Sequence, residues 1–376
     1  MKYIHVLHII TSLNLGGTET MLTRLILENN KSKNSFVKFS VISLGDIGEH
    51  GKTLQENNIN VVSIGITSVY NFPIKFFKLV KLIKKIKPDV IQTWMVHADL
   101  IGGIAAKIYG SNKIVWNIRT TDFSIESKTT QIIRKLCIML SYYLPKKIIC
   151  AAHASLNECI REGYDSKKLL VIPNGFDVSA LRKFKGSGHL VKESLSIPAE
   201  NIIVGCVGRF NEAKDHATFI NAAEILSKEY KNISFILVGK GLDKSNKLIN
   251  KLISDIHLKK SIYLLGERLD VPSCYDAFDV YAHTSISEGF PNVIGEAMSM
   301  SIPCVSTDVG DASLLIDEYG LLVEPKDYIN LAKSISYFIK NRAAAKEKAS
   351  GGLNHIIKNY SISAIRDRYI RFYVNI

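Results

Sequence analysis

Short runs of branched apolar residues alternate with amphipathic stretches along the chain, and the rhythm occurs twice. Ile4 to Ile10 is followed by a helical pattern from Thr18 to Glu28, and Val37 to Leu44, Val61 to Ile64, Val90 to Thr93, Ile114 to Asn117 and Ile148 to Ala151 continue the alternation. It restarts at Ile202 to Val207, with a helical pattern from His216 to Glu229 and apolar runs at Ser234 to Val238, Ile262 to Leu265, Val280 to His283 and Cys304 to Ser306. Such β-α-β alternation predicts parallel sheets covered by helices on both faces. The expected fold class is α/β, with two doubly wound, Rossmann-like domains. Pro173-Asn174-Gly175-Phe176-Asp177 reads as a turn, and Gly186-Ser187-Gly188 is the best linker on composition. The boundary then falls near residues 178–198, with a first domain over 1–180, a linker over 181–197 and a second domain over 198–358. A last helix from Ser363 to Tyr373 carries Ile365, Tyr369, Ile370 and Tyr373 at helical spacing and must pack on something.

A length of 376 residues suits two domains. The stretch from Met1 to Ile10 has one cation and an apolar run, but His5 and His8 interrupt it and no small-residue cleavage site follows, so a buried first strand is expected rather than a signal peptide. The longest apolar stretch elsewhere, Leu136 to Leu144, is too short to span a bilayer. Six cysteines without a CxxC pair read as reduced core thiols of a cytoplasmic protein. Charge changes the picture more. Residues 1–190 hold 26 basic and 13 acidic side chains, whereas residues 191–376 hold 22 of each, so the whole excess of +13 lies in the first half. A uniform nucleic-acid coat is disfavoured, and a basic first domain facing an anionic partner is favoured.

In open parallel sheets, ligands sit beyond the carboxyl ends of the strands, where glycine turns and helix N-termini present N–H groups to phosphate. Four turns are candidates. Asn14-Leu15-Gly16-Gly17-Thr18-Glu19 follows the first strand, and its paired glycines permit close approach, though the full GxGxxG fingerprint is missing. Val204-Gly205-Cys206-Val207-Gly208 leads into a turn flanked by Arg209 and Lys214, where two cations and a helix dipole can hold a diphosphate. Gly239-Lys240-Gly241, after Phe235 to Val238, could support a nucleotide, but a plain tight turn is the favoured reading. In Ser287-Glu288-Gly289-Phe290-Pro291-Asn292-Val293-Ile294-Gly295-Glu296, Pro291 and Asn292 mark a helix start, which leaves Glu288 in the loop and Glu296 in the first turns. Two carboxylates so spaced suit different parts of one extended, polyhydroxylated ligand. At the strand ends of the first domain, His97 lies beside Asp99, and Asn117 and Arg119 follow another strand. No metal-ligand spacing, GxSxG elbow or Walker loop occurs, so no metal is implied.

Taken together, Glu288-x7-Glu296 with Gly289-Phe290-Pro291, Val207-Gly208-Arg209, Lys214-Asp215, Gly16-Gly17-Thr18-Glu19, the Trp94 to Asp99 segment and Pro173 to Asp177 resemble the retaining glycosyltransferases of family 4 over nearly the whole chain. The resemblance implies the GT-B fold: two Rossmann-like domains facing a central cleft, the nucleotide-sugar donor mostly on the second and the acceptor mostly on the first. It implies that Arg209 and Lys214 hold the donor diphosphate, that Glu296 binds the nucleotide ribose, and that Glu288 with the backbone of Gly289, Phe290, Pro291 and Asn292, and Val293 beside them, holds the transferred sugar. Gly16 and Gly17 would close over the phosphates, and His97 matches the family's active-site histidine. Leu265, Arg268 and Leu269 lie where the family seats its base; the residues themselves do not choose between uracil and guanine, and a UDP-sugar is the favoured donor. Asn117 and Arg119 are the acceptor candidates. The family also implies that the C-terminal helix, residues 360–376, returns to the first domain.

Two basic, apolar stretches, Lys75 to Lys87 and Arg134 to Lys147, suit an anionic bilayer as well as a solvated helix face. The expectation is a metal-independent retaining glycosyltransferase, hexosyl- or N-acetylhexosaminyl-specific, that needs no cofactor besides its nucleotide-sugar. It would act on a glycan or polyprenyl-diphosphate-linked acceptor in bacterial surface polysaccharide assembly, as a cytoplasmic protein peripheral to the inner face of the membrane. A sugar-nucleotide epimerase of the same architecture is one alternative. A non-catalytic membrane- or glycan-binding protein is the other, against which the complete set Arg209, Lys214, Glu288 and Glu296 argues.

Overall fold

The computed structural model describes residues 3–32, 35–66, 68, 70–121, 123, 126–255 and 261–376; Met1 and Lys2 of the expected first strand lie outside the described residues. The chain divides into two units, one of residues 1–175 with 362–376, the other of residues 176–361.

Unit 1 runs β1 (Ile4–Ile10), α1 (Gly17–Lys31), β2 (Val37–Ser43), α2 (Gly48–Glu56), β3 (Asn60–Ser63), α3 (Phe72–Ile86), β4 (Val90–Trp94), α4 (Val96–Tyr109), β5 (Ile114–Ile118), α5 (Lys128–Ser141), β6 (Lys147–Cys150), α6 (His153–Glu162) and β7 (Leu169–Val171). Among the described residues its strands number seven, all parallel, in the order β3-β2-β1-β4-β5-β6-β7. Side chains alternate across β1. Leu7 and Ile9 join the core beneath α3, α4 and α5, and Val6 and Ile10 join the core on the opposite face. Burial on both faces is why these strands read as continuous apolar runs.

Unit 2 runs α7 (Val178–Arg182), α8 (Gly188–Ser194), β8 (Ile202–Val207), α9 (His216–Glu229), β9 (Ile233–Val238), α10 (Lys247–Asp255), β10 (Ile262–Leu264), α11 (Val271–Asp276), β11 (Val280–His283), α12 (Asn292–Ser299), β12 (Cys304–Thr307), α13 (Ala312–Ile316), β13 (Leu321–Val323), α14 (Tyr328–Lys340) and α15 (Arg342–Asn359). Among the described residues, six parallel strands are ordered β10-β9-β8-β11-β12-β13. Both units are thus Rossmann-like, and in both the order reverses beside the first strand: between β1 and β4, and between β8 and β11. The edge strands β7 and β13 were not expected from the sequence. Each has three residues, as does the expected edge strand β10, and none is long enough to show a period.

The expected linker is instead packed structure. Gly186 and Gly188 N–H groups donate to Asp276 Oδ2 at 2.8 and 2.9 Å, a Cβ on Gly188 would lie 2.5 Å from the Asp276 carbonyl, and Val191 and Ile197 are buried in the unit 2 core. Of the glycines that looked like linker composition, Gly188 serves close packing against α11 and Gly186 takes a left-handed φ of +89°. The chain leaves unit 1 at Gly175 and re-enters it at Ile362.

The final helix, α16 (Ile362–Asn375), packs on α1 and buries Ile365, Tyr369 and Tyr373 with Met21, Leu22 and Leu25. Its two tyrosines also satisfy polar groups of the sheet. Asn117 Nδ2 donates to Tyr369 Oη at 3.2 Å, and Tyr373 Oη donates to Gln92 Oε1 at 2.5 Å. All six cysteines are buried and free. Divided along the units, the charge excess stays whole: unit 1 holds 26 basic and 13 acidic residues and unit 2 holds 22 of each.

Gly205 in β8 shows how tightly the second core is filled, since a Cβ there would lie 2.1 Å from the Phe278 ring. Gly205→Ala is expected to cost about 1–3 kcal/mol of unit 2 stability through overpacking. The double variant with Phe278→Leu should recover part of that loss in urea denaturation, whereas strictly additive costs would contradict the contact.

Candidate active site

The strand-order reversal of unit 2 collects its chemistry. After β8, Gly208 and Arg209 lead to a single 3-10 turn, Glu212–Lys214, and then to Asp215, whose carboxylate caps α9 by accepting from Thr218 N and Thr218 Oγ1. Asp215 takes the left-handed φ of +43° that reverses the chain into this helix. Gly239 lets the neighbouring turn nest beneath, because a Cβ there would lie 2.1 Å from Gly208 O. The Gly239-Lys240-Gly241 turn therefore supports the Arg209 turn, and Phe210 N donates to Lys240 O at 2.8 Å.

After β11, the chain turns through Thr284, Ser285 and Glu288 before α12. Three bonds fasten this loop to its surroundings: Ile286 N to Ala213 O (2.8 Å), Thr284 Oγ1 to Lys214 O (2.9 Å) and Thr307 Oγ1 to Ser285 O (2.6 Å). Gly310, at φ +57°, admits the backbone of Glu288 and Gly289 at distances no Cβ would allow, and Asp311 N donates to Gly289 O.

This scaffold brings Lys214 and Glu288 together. Lys214 Nζ donates to Glu288 Oε1, which also accepts from Ser285 Oγ at 2.7 Å and lies 3.1 Å from His283 Nε2. Both partners of the ion pair are largely buried. Burial opposes ionisation of Glu288, but the His283 hydrogen bond and the Lys214 charge outweigh it and hold the carboxyl down at about 2. Burial lowers the pKa of His283, with Glu288 acting against it, so the ring is neutral at pH 7.

The remaining expected donor residues occupy the same strand-end side of unit 2. Helix α12 begins at Asn292, as the Pro291-Asn292 signal predicts, so Glu288 is in the loop and Glu296 in the helix. Glu296 Oε2 lies 3.1 Å from Tyr275 Oη, which also donates to Val293 O. Phe290 stacks on Phe176, whose ring fills the space left by Gly295, and Pro291 is buried. Arg209 is exposed at the turn after β8. Leu265 continues β10, with its N–H on Leu237 O, while Leu269 is fully exposed. Arg268 is paired with Asp270 through two hydrogen bonds of 2.8 and 2.6 Å.

In unit 1, Gly16 and Gly17 differ in surroundings. The carboxylate of Glu19, three residues into α1, folds back over Gly16, where a Cβ would meet it at 2.3 Å; around Gly17 nothing lies within 4 Å. Gly16 thus makes room for the helix's own acidic residue, as at the N3 position of a capping box, and Gly17 is the open position. His97 sits in the first turn of α4, half-buried, after Met95, which takes a positive φ of 74°. Burial lowers the His97 pKa, Glu126 raising and Arg134 lowering it further. Asp99, expected beside it, instead faces the core, where Thr93 Oγ1 donates to it at 2.5 Å; burial lifts its pKa to about 8 against that bond.

Asn117 and Arg119 were expected to meet the acceptor, and the structure engages both internally. Asn117 is fully buried with its amide on Tyr369, and Arg119 donates to Asn174 and lies over the Trp94 ring. They tie β5 to the C-terminal helix and to the Pro173-Asn174-Gly175 turn. Among the described residues, no group of three His, Cys, Asp or Glu side chains could hold a metal ion.

Comparison with known proteins gives the family. The model described as "Glycosyltransferase Family 4" matches residues 15–180, and that described as "Glycosyl transferases group 1" matches residues 201–341. The UDP-Gal:alpha-D-GlcNAc-diphosphoundecaprenol alpha-1,3-galactosyltransferase of Escherichia coli is 30% identical over 79% of this chain and 79% of its own. The chain is a family 4 glycosyltransferase. Another such glycosyltransferase, the N-acetylgalactosamine-N,N'-diacetylbacillosaminyl-diphospho-undecaprenol 4-alpha-N-acetylgalactosaminyltransferase of Campylobacter jejuni, is 24% identical over 76% of this chain and 77% of its own. In fold, this glycosyltransferase superposes on the Anabaena Alr3699/HepE structure in complex with UDP with a TM-score of 0.83 and 24% identity, each chain covered completely. Its two parallel-sheet units are those of GT-B enzymes.

Sequence reasoning overlooked His283, Ser285 and Tyr275. The first two were within reach of it, since His283 ends an apolar strand five residues before Glu288. Tyr275 meets Glu296 only through the tertiary packing of α11 on α12. Because the folded-state pKa of Glu288 lies below that of an unfolded glutamate, the ionised form stabilises the fold at neutral pH, by at most about 3 kcal/mol. That contribution fades as pH falls from about 5 towards 2. Glu288→Gln should therefore be less stable than wild type at pH 7, with the gap narrowing towards pH 3 in urea denaturation. A gap independent of pH would contradict the ion-paired state.

Proposed function

We propose that this glycosyltransferase moves a sugar, with retention of configuration, from a nucleotide-diphosphate-sugar to a lipid-linked acceptor in surface polysaccharide assembly. The observation that supports it most is the Lys214–Glu288 pair at the strand-order reversal of unit 2, the place where open α/β sheets bind nucleotides. Cleaving the anomeric C–O bond puts positive charge on the sugar ring and negative charge on the departing diphosphate. Lys214 and Arg209 would stabilise that diphosphate as it leaves, in place of a metal ion. Glu288 would hold hydroxyls of the transferred sugar, and Glu296 those of the ribose, with the loop from Gly289 to Val293 lining the donor and Leu265, Arg268 and Leu269 near the base.

The state of Glu288 supports attack from the leaving-group face rather than a covalent glycosyl-enzyme. Its Oε1 is tied to Lys214, His283 and Ser285 and the carboxylate is assigned to hydroxyls of the sugar, which leaves no evident nucleophile among the described residues. In unit 1, His97, neutral at pH 7, would hydrogen-bond substrate beyond the end of β4, and Gly17 would leave room for substrate beyond the end of β1. Relatives named for UDP-Gal and for diphosphoundecaprenol substrates favour a UDP-hexose or UDP-N-acetylhexosamine and a polyprenyl-diphosphate acceptor here. With a UDP-sugar and such an acceptor, Arg209→Ala and Lys214→Ala should each lower turnover by roughly 100- to 1000-fold while circular dichroism shows an intact fold. Wild-type rates in either variant would remove the leaving-group role.

The basic unit would meet an anionic bilayer. Among the described residues no helix is long and apolar enough to cross a membrane. Helix α3, however, exposes Ile74 and Phe77 among Lys78, Lys81, Lys84 and Lys85, and α5 exposes Ile132, Leu136 and Met139 with Lys128 and Lys135. Both flank α4 on one face of the sheet. Arg134, counted in the basic stretch by sequence, does not contribute, being buried against Glu126 and Phe123. The protein should co-sediment with phosphatidylglycerol vesicles at low salt and release at high salt, each Lys→Glu change in α3 weakening binding at least about fivefold. Indifference to anionic lipid would reject membrane contact.

A further inference from the structure

Glu288 is held by one oxygen. Lys214 Nζ, Ser285 Oγ and His283 Nε2 converge on Oε1, and among the described residues no donor reaches Oε2. Three donors saturate a carboxylate oxygen and fix the plane of the group, which leaves the second oxygen for a ligand hydroxyl. The three are not equivalent. Lys214 is also the cation proposed to meet the donor diphosphate, so its ammonium is shared once donor binds. Ser285 rides on the loop itself.

His283 is the member anchored in the sheet. It ends β11 directly opposite Ser306 of β12, is almost wholly buried, and has Nδ1 2.9 Å from Ser306 Oγ. Hydrogen-bond accounting fixes its tautomer. A neutral ring whose Nε2 faces a carboxylate must carry its proton there, which leaves Nδ1 as an acceptor toward the Ser306 hydroxyl, whose one hydrogen is divided between it and Thr307 O at 2.8 Å. Its charged neighbours are Glu288 and Lys214.

We propose that His283 is a positioning residue, whose Nε2–H holds Oε1 of Glu288 so that Oε2 faces the hydroxyls of the transferred sugar while donor diphosphate draws on Lys214. This rests on the reading of Glu288 as the sugar-holding carboxylate. Glutamine at 283 extends its amide to about the reach of Nε2 and preserves the donor. Asparagine is too short to reach Glu288, and leucine has no polar group.

The test compares His283→Gln, His283→Asn and His283→Leu in steady-state sugar transfer, with UDP affinity by calorimetry as a check on the folded site. His283→Leu and His283→Asn should lower kcat roughly 10- to 100-fold with UDP affinity nearly unchanged, and His283→Gln should recover most of that loss. Equal losses in all three, a fall in UDP affinity parallel to kcat, or wild-type rates in His283→Leu would each overturn the role. Glu288→Gln in the same assay separates the two readings. If it turns over like wild type, the assignment of Glu288 itself fails; if it is inactive while His283→Leu is not, only the role of His283 fails.

Discussion

One carboxylate oxygen, Oε1 of Glu288, joins the chain segments at the centre of the unit 2 sheet: the turn after β8 through Lys214, the end of β11 through His283 and the loop itself through Ser285. A buried ion pair is costly to desolvate and is sustained only when further hydrogen bonds complete it. Here His283 and Ser285 complete it, and the surrounding backbone bonds keep it from loosening. Without a ligand, the pair balances its own charge. The same ammonium and carboxylate match the two ends of a sugar diphosphate, anionic on one side and rich in hydroxyls on the other.

The pair's location follows from topology. In each unit the strand order reverses next to the first strand, and helices leave on opposite faces, so the turns after those two strands diverge and open a crevice. Unit 2 places Arg209 and Lys214 after β8 and Glu288 after β11. Unit 1 places Gly17 after β1 and His97 after β4. Glycines at 239 and 310 allow the close backbone approaches on which this geometry depends.

Much of this was legible in the sequence because it is local. Apolar runs buried on both faces marked the long strands, and Pro291-Asn292 marked the start of α12. The positions of Arg209, Lys214 and Glu288 at strand ends followed. What stayed hidden depends on tertiary contact. Asn117 and Arg119 look like strand-end site residues until Tyr369 and Asn174, distant in sequence, take up their hydrogen bonds. Gly186-Ser187-Gly188 looks like a linker until Asp276 is seen to accept its amides. Asp99 follows His97 by two residues but turns into the core, because α4 places the two on different faces.

The charge of +13 belongs wholly to unit 1, while neutral unit 2 carries the local cations proposed for the donor diphosphate. The most direct test is a crystal structure with a bound UDP-sugar. It should show Lys214 Nζ within about 3 Å of a diphosphate oxygen and Glu288 Oε2 accepting from a sugar hydroxyl, with His283 still on Oε1. A nucleotide-sugar bound away from an unaltered Lys214–Glu288 pair would contradict the assignment.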